Sequence, residues 1–323
     1  MLNGGKRSVV ADLKTEKGRK TASGLVERAD ILVEQFRPGV MDQLGFGYEQ
    51  ARALNSRLIY CSITGYGQTG PRAHEAGHDL NYQAVTGLLS LSPGPPDAPT
   101  VPPSLVADIA GGTMPAVVNI LLALRQRDRT GEGCRLDIAM ADAMFTFGWL
   151  ALAQGHATGH FPGSQENMLT GSLPRYGLYA TKDGRFLAFG GLEEKFWRAV
   201  CDGIGLPEPL RDDHADPAAT RATIMRLVAK KTAAEWQAIL GPRDCCATIV
   251  ASIEEAMRDP HFRSRGLFNV RVCAGEGRVL PAATVPIAPA LRRSPDGVRA
   301  VPEIDAQTHA LPETKSSTDA GDA

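Results

Sequence analysis

The sequence predicts an α/β protein: a parallel sheet covered by helices, followed by a smaller α+β domain. Short apolar runs typical of buried strands alternate with helical segments over the first half of the chain, which favours a parallel sheet with helices on both faces. After about residue 170 the pattern changes. There, Lys182-Asp183-Gly184 separates two β-type runs, and Asp-Gly between such runs is typical of a hairpin turn.

The larger domain is predicted from the period of its apolar residues, two for strands and 3.6 for helices. Its expected elements, in order, are a strand at 8–13, a helix at 16–28, a strand at 31–36, helical turns around 47–54, a strand at 57–63, helices at 79–91 and 109–126, a strand at 135–140 and a helix at 141–155.

The smaller domain begins with the hairpin. Its expected elements are strands at 176–181 and 185–190, helices near 194–203, 217–231 and 233–240, and then a β segment at 267–281 with a turn at 275–277. We therefore expect a large domain made of residues 1–170 and 270–312 and a small domain over 175–265. The polar residues 313–323 are expected to form a disordered tail.

The composition excludes several classes of protein. The 323 residues are 43% hydrophobic and carry a formal net charge of −1, so no overall field attracts nucleic acid or an anionic membrane. No uninterrupted apolar stretch reaches 18 residues, so we expect no membrane partner. Six cysteines without a CxxC pair predict reduced thiols and a cytoplasmic location.

Residues 74–78 match the zinc-hydrolase pattern HExxH. That chemistry needs a helix, so that both histidines share one face. A glycine-rich stretch ending in Pro71 precedes the pattern and Gly77 lies inside it, and both features oppose a helix. We expect no metal here.

Residues 65–70 match GxGxxG after a strand. A dinucleotide fingerprint would open a helix, with an acidic residue about 20 positions further on. Pro71 follows instead, and residues 85–93 contain no Asp or Glu. We interpret this segment as a loop that lets a ligand approach the backbone closely, and not as an NAD site.

Two predicted helix starts carry ionisable side chains, His78 and Asp108. A helix start offers unpaired N–H groups and positive potential, which suit proton transfer beside a developing oxyanion. The same potential favours a neutral His78 and an ionised Asp108. Backbone N–H groups near Gly111-Gly112 are candidate donors to the oxyanion.

Each candidate residue also has a structural interpretation. His78 suits a surface loop, Asp108 a helix cap and Glu193 the start of the next helix. Arg37 suits a solvated surface position. Spacing alone does not bring His78, Asp108 and Glu193 together, because they lie on different elements.

Several segments together resemble the family III CoA-transferases over residues 2 to about 310: residues 2–14, 36–40, 63–71 and 176–184. Within that family, Gly77-His78-Asp79-Leu80-Asn81-Tyr82 and Val106-Ala107-Asp108 most resemble the α-methylacyl-CoA racemases. The resemblance implies a Rossmann-like large domain, an interlocked homodimer and an acyl-CoA substrate, hence a role in lipid metabolism.

The resemblance also implies roles for three residues. In the racemases, the positions that match His78 and Asp108 exchange the α-proton on opposite faces, and the position that matches Glu193 supports the histidine. In the transferases, the aspartate that matches Asp108 is a nucleophile that forms acyl anhydride and aspartyl-CoA thioester intermediates.

CoA carries phosphates, so its site needs cations and backbone donors. The candidates are Arg37, the loop residues Gly65, Tyr66 and Gly67, Arg72, and, by resemblance, Lys14. No cofactor is expected beyond the CoA moiety of the substrate.

Relatives usually begin with one further βα unit, which this sequence lacks at its start. From the segments around His78 and Asp108, which resemble the racemases, we expect a 2-methylacyl-CoA racemase or epimerase. The alternatives are an acyl-CoA:carboxylate CoA-transferase with Asp108 as nucleophile, an inactive CoA-binding remnant and, most distantly, a zinc hydrolase.

Overall fold

A computed structural model describes residues 2–92, 100–274, 277–291 and 298–304. The chain forms two compact units, one of residues 29–250 and one of residues 1–28 with 251–323. The predicted tail at 313–323 lies outside the described residues, as does most of the turn predicted at 275–277.

The elements up to residue 158 include the first sheet. In order they are α1 (Glu16–Val26), β1 (Ile31–Glu34), α2 (Val40–Gln43), α3 (Tyr48–Leu54), β2 (Ile59–Thr64), α4 (Asp79–Val85), a 3₁₀ turn (Leu88–Leu91), a π-helical segment (Val106–Thr113), α5 (Met114–Thr130), β3 (Cys134–Ala139), α6 (Met140–Phe147) and α7 (Trp149–Thr158).

The remaining elements form two further sheets and their helices. In order they are a 3₁₀ turn (Met168–Thr170), β4 (Tyr176–Ala180), β5 (Phe186–Gly190), α8 (Glu194–Ile204), a 3₁₀ turn (Glu208–Leu210), α9 (Pro217–Val228), α10 (Ala233–Leu240), β6 (Ala247–Ile249), α11 (Ile253–Arg258), α12 (Pro260–Ser264), β7 (Arg271–Ala274), β8 (Arg278–Pro281), a 3₁₀ turn (Pro289–Leu291) and β9 (Val298–Ala300).

The first sheet is parallel, with β2 between β1 and β3. Ile59, Tyr60 and Cys61 of β2 are buried, as expected of a parallel strand covered on both faces. Thr64 pairs with Ala139 in register, so the carboxyl ends of these strands lie at one edge. This edge is where ligands bind in open α/β sheets.

The second sheet is antiparallel, in the order β4-β5-β6. The predicted hairpin pairs Tyr176 with Gly190 and Ala180 with Phe186. Helices α8, α9 and α10 supply the core beside it, in which Trp197 and Trp236 are almost fully buried. This larger apolar cluster makes the α+β region a well-packed part of the 29–250 unit.

The other unit contains the third sheet, in the order β8-β7-β9. Strand β7 pairs antiparallel with β8 and parallel with β9. Gly5 donates its backbone N–H to the Ala300 carbonyl at 3.0 Å, so the N-terminal residues of this unit are tied to its last described strand. The predicted division into residues 1–170 with 270–312 and 175–265 stays a prediction.

One predicted strand is wrong. No strand is assigned to residues 8–13. Asp12 instead accepts hydrogen bonds from the Lys14 N–H and, through its carbonyl, from the Thr15 hydroxyl. Thr15 then caps α1 by accepting from the Gly18 N–H at 3.1 Å. The segment therefore leads into the start of α1 and does not form a strand.

The π-helical segment and α5 form one helical run, Val106–Thr130, which is long and apolar enough to cross a membrane by length and composition alone. Ala116 and Ala123 are buried, and α5 contacts β2 and β3. A core helix meets the same criterion, so the expected absence of a membrane partner stays a prediction. All six cysteines are free thiols, and the cytoplasmic location likewise stays a prediction.

Candidate active-site cleft

A cleft of about 900 Å³ lies at the carboxyl edge of the first sheet. It brings together residues from the loops after β1 and β2, from α4 and from the π-helical segment. Its described lining is Val33, Glu34, Gln35, Phe36, Arg37, Pro38, Ile63, Thr64, Gly65, Ala73, Glu75, Ala76, Gly77, His78, Asn81, Tyr82, Asp108, Thr113 and Met140.

His78 occupies the position just before α4, as the sequence predicts. Its backbone is extended, and its N–H donates to Asn81 Oδ1 at 3.0 Å. This bond fixes the start of the helix, while the His78 side chain is exposed and lines the cleft. The imidazole is therefore accessible to a molecule in the cleft.

Asp108 lies inside the helical run, not before it. The sequence predicts a helix from 109, but the run begins at Val106 with a π-helical segment, a form found mostly as short bulges at functional sites. The carboxyl group is half-buried and lines the same cleft as His78. The structural interpretation of Asp108 as a helix cap is therefore wrong.

Asp79 connects the two segments that carry these residues. Its carboxylate accepts the Asp108 backbone N–H at 3.0 Å through Oδ1 and the Gln83 amide at 2.6 Å through Oδ2. Asp79 is only 7% exposed. Because Asp79 follows His78 directly, this bond ties the backbone beside His78 to the backbone of Asp108.

The environment of Asp108 raises the pKa of its carboxyl group. Burial is the main cause and the negative charge of Asp79 the second, while His78 acts in the opposite direction. The sequence predicts that the helix start favours the ionised form of Asp108. That expectation is wrong, because it did not include the burial of Asp108 or the neighbouring carboxylate of Asp79. A raised pKa brings Asp108 closer to the range in which it can both accept and return a proton.

Gly111 and Gly112 face the protein interior. A methyl group on Gly111 would lie 2.7 Å from the Met140 carbonyl oxygen, and one on Gly112 would lie 2.9 Å from Met140 Cγ. These glycines therefore let the π-helical segment pack closely against α6. The described lining of the cleft contains Thr113 but neither glycine, so their expected role as oxyanion donors has no support.

Tyr82 explains why residue 65 is a glycine. A methyl group at Gly65 would lie 2.4 Å from Tyr82 Cε1. The Tyr82 hydroxyl donates to the Gly77 carbonyl at 2.6 Å, and its ring contacts Tyr66 edge-on at 5.2 Å. Tyr82 thus packs between the 65–70 loop and the residue that precedes His78.

The 65–70 loop follows β2 and does not open a helix, which agrees with the rejection of a dinucleotide fingerprint. Gly67 has φ +84°, a conformation that favours glycine. The neighbouring Gln68 N–H donates to the Asp137 carboxylate. Arg72 lies 5.9 Å above the Tyr66 ring and pairs with Glu75 at 2.7 Å.

Among the predicted CoA-binding residues, Arg37 and Gly65 line the cleft, whereas Tyr66, Gly67 and Arg72 are not in its described lining. Arg37 is exposed. The preceding turn is held by Glu34, a buried carboxylate at the end of β1 that accepts the Phe36 N–H at 2.8 Å. Sequence reasoning did not find Glu34, although an acidic residue at the end of an apolar strand is a usable signal.

Two further predicted residues, Glu193 and Lys14, are also absent from the described lining of this cleft. Glu193 is exposed and lies directly before α8, beside the second sheet, and it is absent from the described lining. Lys14 is exposed and lies just before α1. Their predicted roles, like those of the other site residues, stay predictions.

The HExxH pattern lacks the helix that its chemistry requires. Residues 71–74 form turns, and α4 begins only at Asp79. In the part of the chain that the structure describes, no group of three or more His, Cys, Asp or Glu side chains is arranged to hold a metal ion.

The parallel sheet, with a polar cleft at its carboxyl edge, defines the architecture of an α/β enzyme. The chain belongs to CoA-transferase family III, whose model matches residues 1–308. It is similar to the α-methylacyl-CoA racemase of Homo sapiens, with 36% identity over 91% of this chain and 78% of the relative.

Other relatives have different activities. The chain is 34% identical to the acetyl-CoA:oxalate CoA-transferase of Acetobacter aceti over 88% of its length and 74% of the relative. Among solved structures, a CAIB/BAIF family protein from Brucella suis superposes with a TM-score of 0.80 and 29% identity, over 95% of this chain and 81% of that one. The family thus includes both racemases and CoA-transferases.

Proposed function

We propose that this protein is a 2-methylacyl-CoA racemase or epimerase. One base removes the proton from the carbon beside the thioester, and an enolate forms. The second group then returns a proton to the opposite face, so that the configuration inverts. The reaction needs no redox change, and one proton is lost and one gained by the substrate.

The observation that carries the proposal is the shared cleft of His78 and Asp108. Two different groups on opposite faces of one carbon permit inversion without the substrate turning over. Their backbone connection through Asp79 supports a fixed separation between them. A fixed geometry of this kind is what proton transfer requires, because both groups must reach the same carbon.

The charges of the cleft favour an apolar acyl group. Its described lining contains three carboxyl groups, those of Glu34, Glu75 and Asp108, and one permanent cation, Arg37. If Arg37 binds a CoA phosphate, as its exposure at the cleft supports, no described cation of the lining remains for a second carboxylate. Ile63, Ala73 and Met140 instead offer apolar surface, which suits a hydrocarbon chain.

The alternative is a CoA-transferase in which Asp108 is the nucleophile. The half-buried carboxyl group of Asp108 at the cleft is compatible with it, and the identity to the acetyl-CoA:oxalate CoA-transferase supports it. An inactive CoA-binding remnant is the third possibility.

We also propose that the protein acts as an interlocked homodimer in which Glu193 of a second copy supports His78. The position of Glu193 outside the described lining of its own chain's cleft is the supporting observation. Co-expression of His78→Gln and Glu193→Gln chains tests this, because a mixed dimer then contains one intact site. We expect the mixed protein to regain racemase activity that each variant alone lacks, and no recovery would exclude the exchange of Glu193.

The proposed reaction is tested by incubating (R)-2-methylacyl-CoA with the protein in deuterated water. We expect deuterium at the α-carbon together with the (S) product, followed by NMR and chiral analysis. Hydroxylamine added during turnover with a free carboxylic acid present traps an aspartyl thioester or anhydride. Trapped protein without α-exchange would favour the transferase.

A CoA-binding measurement, combined with the two activity tests, distinguishes an inactive CoA-binding remnant from the two enzymes. Thermal unfolding with and without CoA measures whether the chain binds the ligand at all. A folded protein that binds CoA but shows neither exchange nor trapping would contradict both enzyme proposals.

A further inference from the structure

Asp79 is a buried carboxylate that receives its hydrogen bonds from uncharged donors. These are the Asp108 backbone N–H at 3.0 Å and the Gln83 amide at 2.6 Å. Gln83 is itself only 3% exposed. In the described part of the chain, no salt bridge to Asp79 is found. A buried carboxylate without a cation is costly to keep, so its position needs an explanation.

The position of Asp79 joins two segments that are thirty residues apart. Its backbone continues directly from His78, and its side chain ends on the backbone of Asp108. The carboxylate therefore forms the shortest described path between the two proton-transfer groups. Helix capping does not explain this contact, because the acceptor serves the N–H of another segment and not that of α4.

We infer that Asp79, oriented by Gln83, is a positioning residue that sets the separation of the His78 imidazole and the Asp108 carboxyl group. This inference rests on the proposed racemase function, because only a two-base reaction needs both groups at one carbon. Asp79 itself is not required to contact the substrate. Its carboxylate also acts on Asp108 as a nearby negative charge.

The groups that face Asp108 come from several elements. Helix α4 and the residue before it contribute His78, Asp79 and Tyr82. Burial is the main cause that raises the pKa of the Tyr82 hydroxyl, followed by Tyr66 and then by the negative charge of Asp108. Other elements also contact the π-helical segment. Their charged or titratable groups are Asp142 on α6, Cys134, Arg135 and Asp137 on β3, Tyr60 and Cys61 on β2, and the distal residues Arg125, Arg127, Asp128 and Arg129 of α5. Asp142 is exposed, and Asp137 accepts from Gln68. Asp79 is the carboxylate whose hydrogen bond to the Asp108 backbone the structure describes.

Two substitutions separate the geometric role of Asp79 from its charge. Asp79→Asn keeps an oxygen that can accept the Asp108 N–H, and Gln83 can rotate its amide to accept from the new NH₂ group. Asp79→Ala removes both bonds. We expect Asp79→Asn to retain inversion within about threefold and Asp79→Ala to lose it at least about tenfold, a loss of about 1.4 kcal/mol or more in transition-state stabilisation.

The decisive readout is the exchange of each enantiomer in deuterated water. If Asp108 is displaced, the enantiomer deprotonated by Asp108 slows, whereas the other still exchanges with retention at His78. Asp79→Ala should therefore change the ratio of exchange to inversion. Lower stability alone would slow both enantiomers equally, so equal slowing would overturn the inference. Asp79→Asn additionally lowers the pH at which Asp108 ionises, because a negative charge beside it is removed.

A second measurement does not depend on activity. Amide hydrogen exchange at Asp108, followed by NMR in the full-length protein, reports the bond to Asp79 directly. We expect exchange at least about tenfold faster in Asp79→Ala than in wild type, and an intermediate increase in Gln83→Leu. Unchanged protection in both variants would contradict the inference even if the protein has no racemase activity.

The matched control is Asp216→Ala. Asp216 is an exposed carboxylate that caps α9 by accepting the Ala219 N–H at 2.9 Å, so its loss removes a comparable bond away from the cleft. We expect this variant to lower stability slightly and to leave the enantiomer ratio and the Asp108 amide unchanged. If wild type shows no exchange at the substrate α-carbon but the Asp108 amide exchanges rapidly in Asp79→Ala, the proposed function is rejected. The contact between Asp79 and the Asp108 backbone is then retained.

Discussion

Two buried carboxylates in the 29–250 unit are bound by different kinds of hydrogen-bond donor. Asp213, beside the second sheet, is fully buried and is bound by Arg175 through both Nε and Nη2, the latter at 2.6 Å. Asp79, beside the cleft, is bound by a backbone N–H and an amide. The first arrangement neutralises a charge inside a core, and the second leaves a charge beside a titratable group. The difference agrees with the proton chemistry that we propose for the cleft, and with a structural role for the ion pair beside the second sheet.

Removing Arg175, the cation that pairs with Asp213, gives the largest expected loss of stability. Arg175→Met leaves Asp213 buried and unpaired, which costs about 3–5 kcal/mol. It also removes the contact of Arg175 with the Trp197 ring and the bond to the Leu192 carbonyl. Urea unfolding measures the loss. The double variant Arg175→Met with Asp213→Leu should recover much of it, and no recovery would contradict the assignment of the cost to a lone charge.

Adding a methyl group beside the cleft should lower stability less than Arg175→Met does, and it should clearly lower the rate of the proposed reaction. Gly65→Ala places a methyl group against Tyr82, and overpacking of this kind costs about 1–3 kcal/mol. The displaced ring would weaken its bond to the Gly77 carbonyl, next to His78. We expect a lower rate of α-exchange with folded protein still present. The matched variant Gly184→Ala, in the exposed hairpin turn, should lower stability without a comparable loss of exchange per folded molecule.

The smallest expected effect concerns the pH dependence of stability. Burial and the charge of Asp79 raise the pKa of Asp108, so the folded protein binds this proton more tightly than the unfolded chain. This proton therefore stabilises folded wild type at low pH, and the stabilisation is lost as the pH rises through the raised pKa of Asp108. Asp108→Asn has no carboxyl group at this position to titrate. Its free energy of unfolding, relative to that of wild type, should therefore increase as the pH rises from below the ordinary aspartate pKa of about 3.9 toward neutrality.

The control for this prediction is Asp128→Asn, the same substitution at an exposed position on α5. The measurement is urea unfolding at several pH values. A difference between Asp108→Asn and wild type that is constant across the pH range would contradict the account of Asp108.

Local patterns in the sequence predict much of the fold. His78 is correctly placed before a helix because the apolar period starts after Asp79, and the Asp-Gly turn at 183–184 predicts the β4-β5 hairpin. Strand β6 has only three residues, Ala247–Ile249, and so offers no clear period. The segment 8–13 has the composition of a strand but forms turns before α1.

The site is less predictable because it depends on contacts between distant residues. The sequence predicts His78 and Asp108 as candidate site residues. The contact of Asp79 with the Asp108 N–H, however, spans 29 positions and has no local signature. The π-helical segment around Asp108 also follows from packing, since Gly111 and Gly112 fit against Met140. The raised pKa of Asp108 could not be foreseen without these contacts.

The most direct test of the central claim compares His78→Gln with Asp108→Asn in deuterated water, using both enantiomers of one 2-methylacyl-CoA. Each variant should racemise about 10²–10⁴-fold more slowly than wild type, yet should still exchange the enantiomer whose proton the remaining group removes. The two variants should retain exchange of opposite enantiomers. Loss of the same enantiomer's exchange in both, or unchanged racemisation in either, would contradict the two-base account.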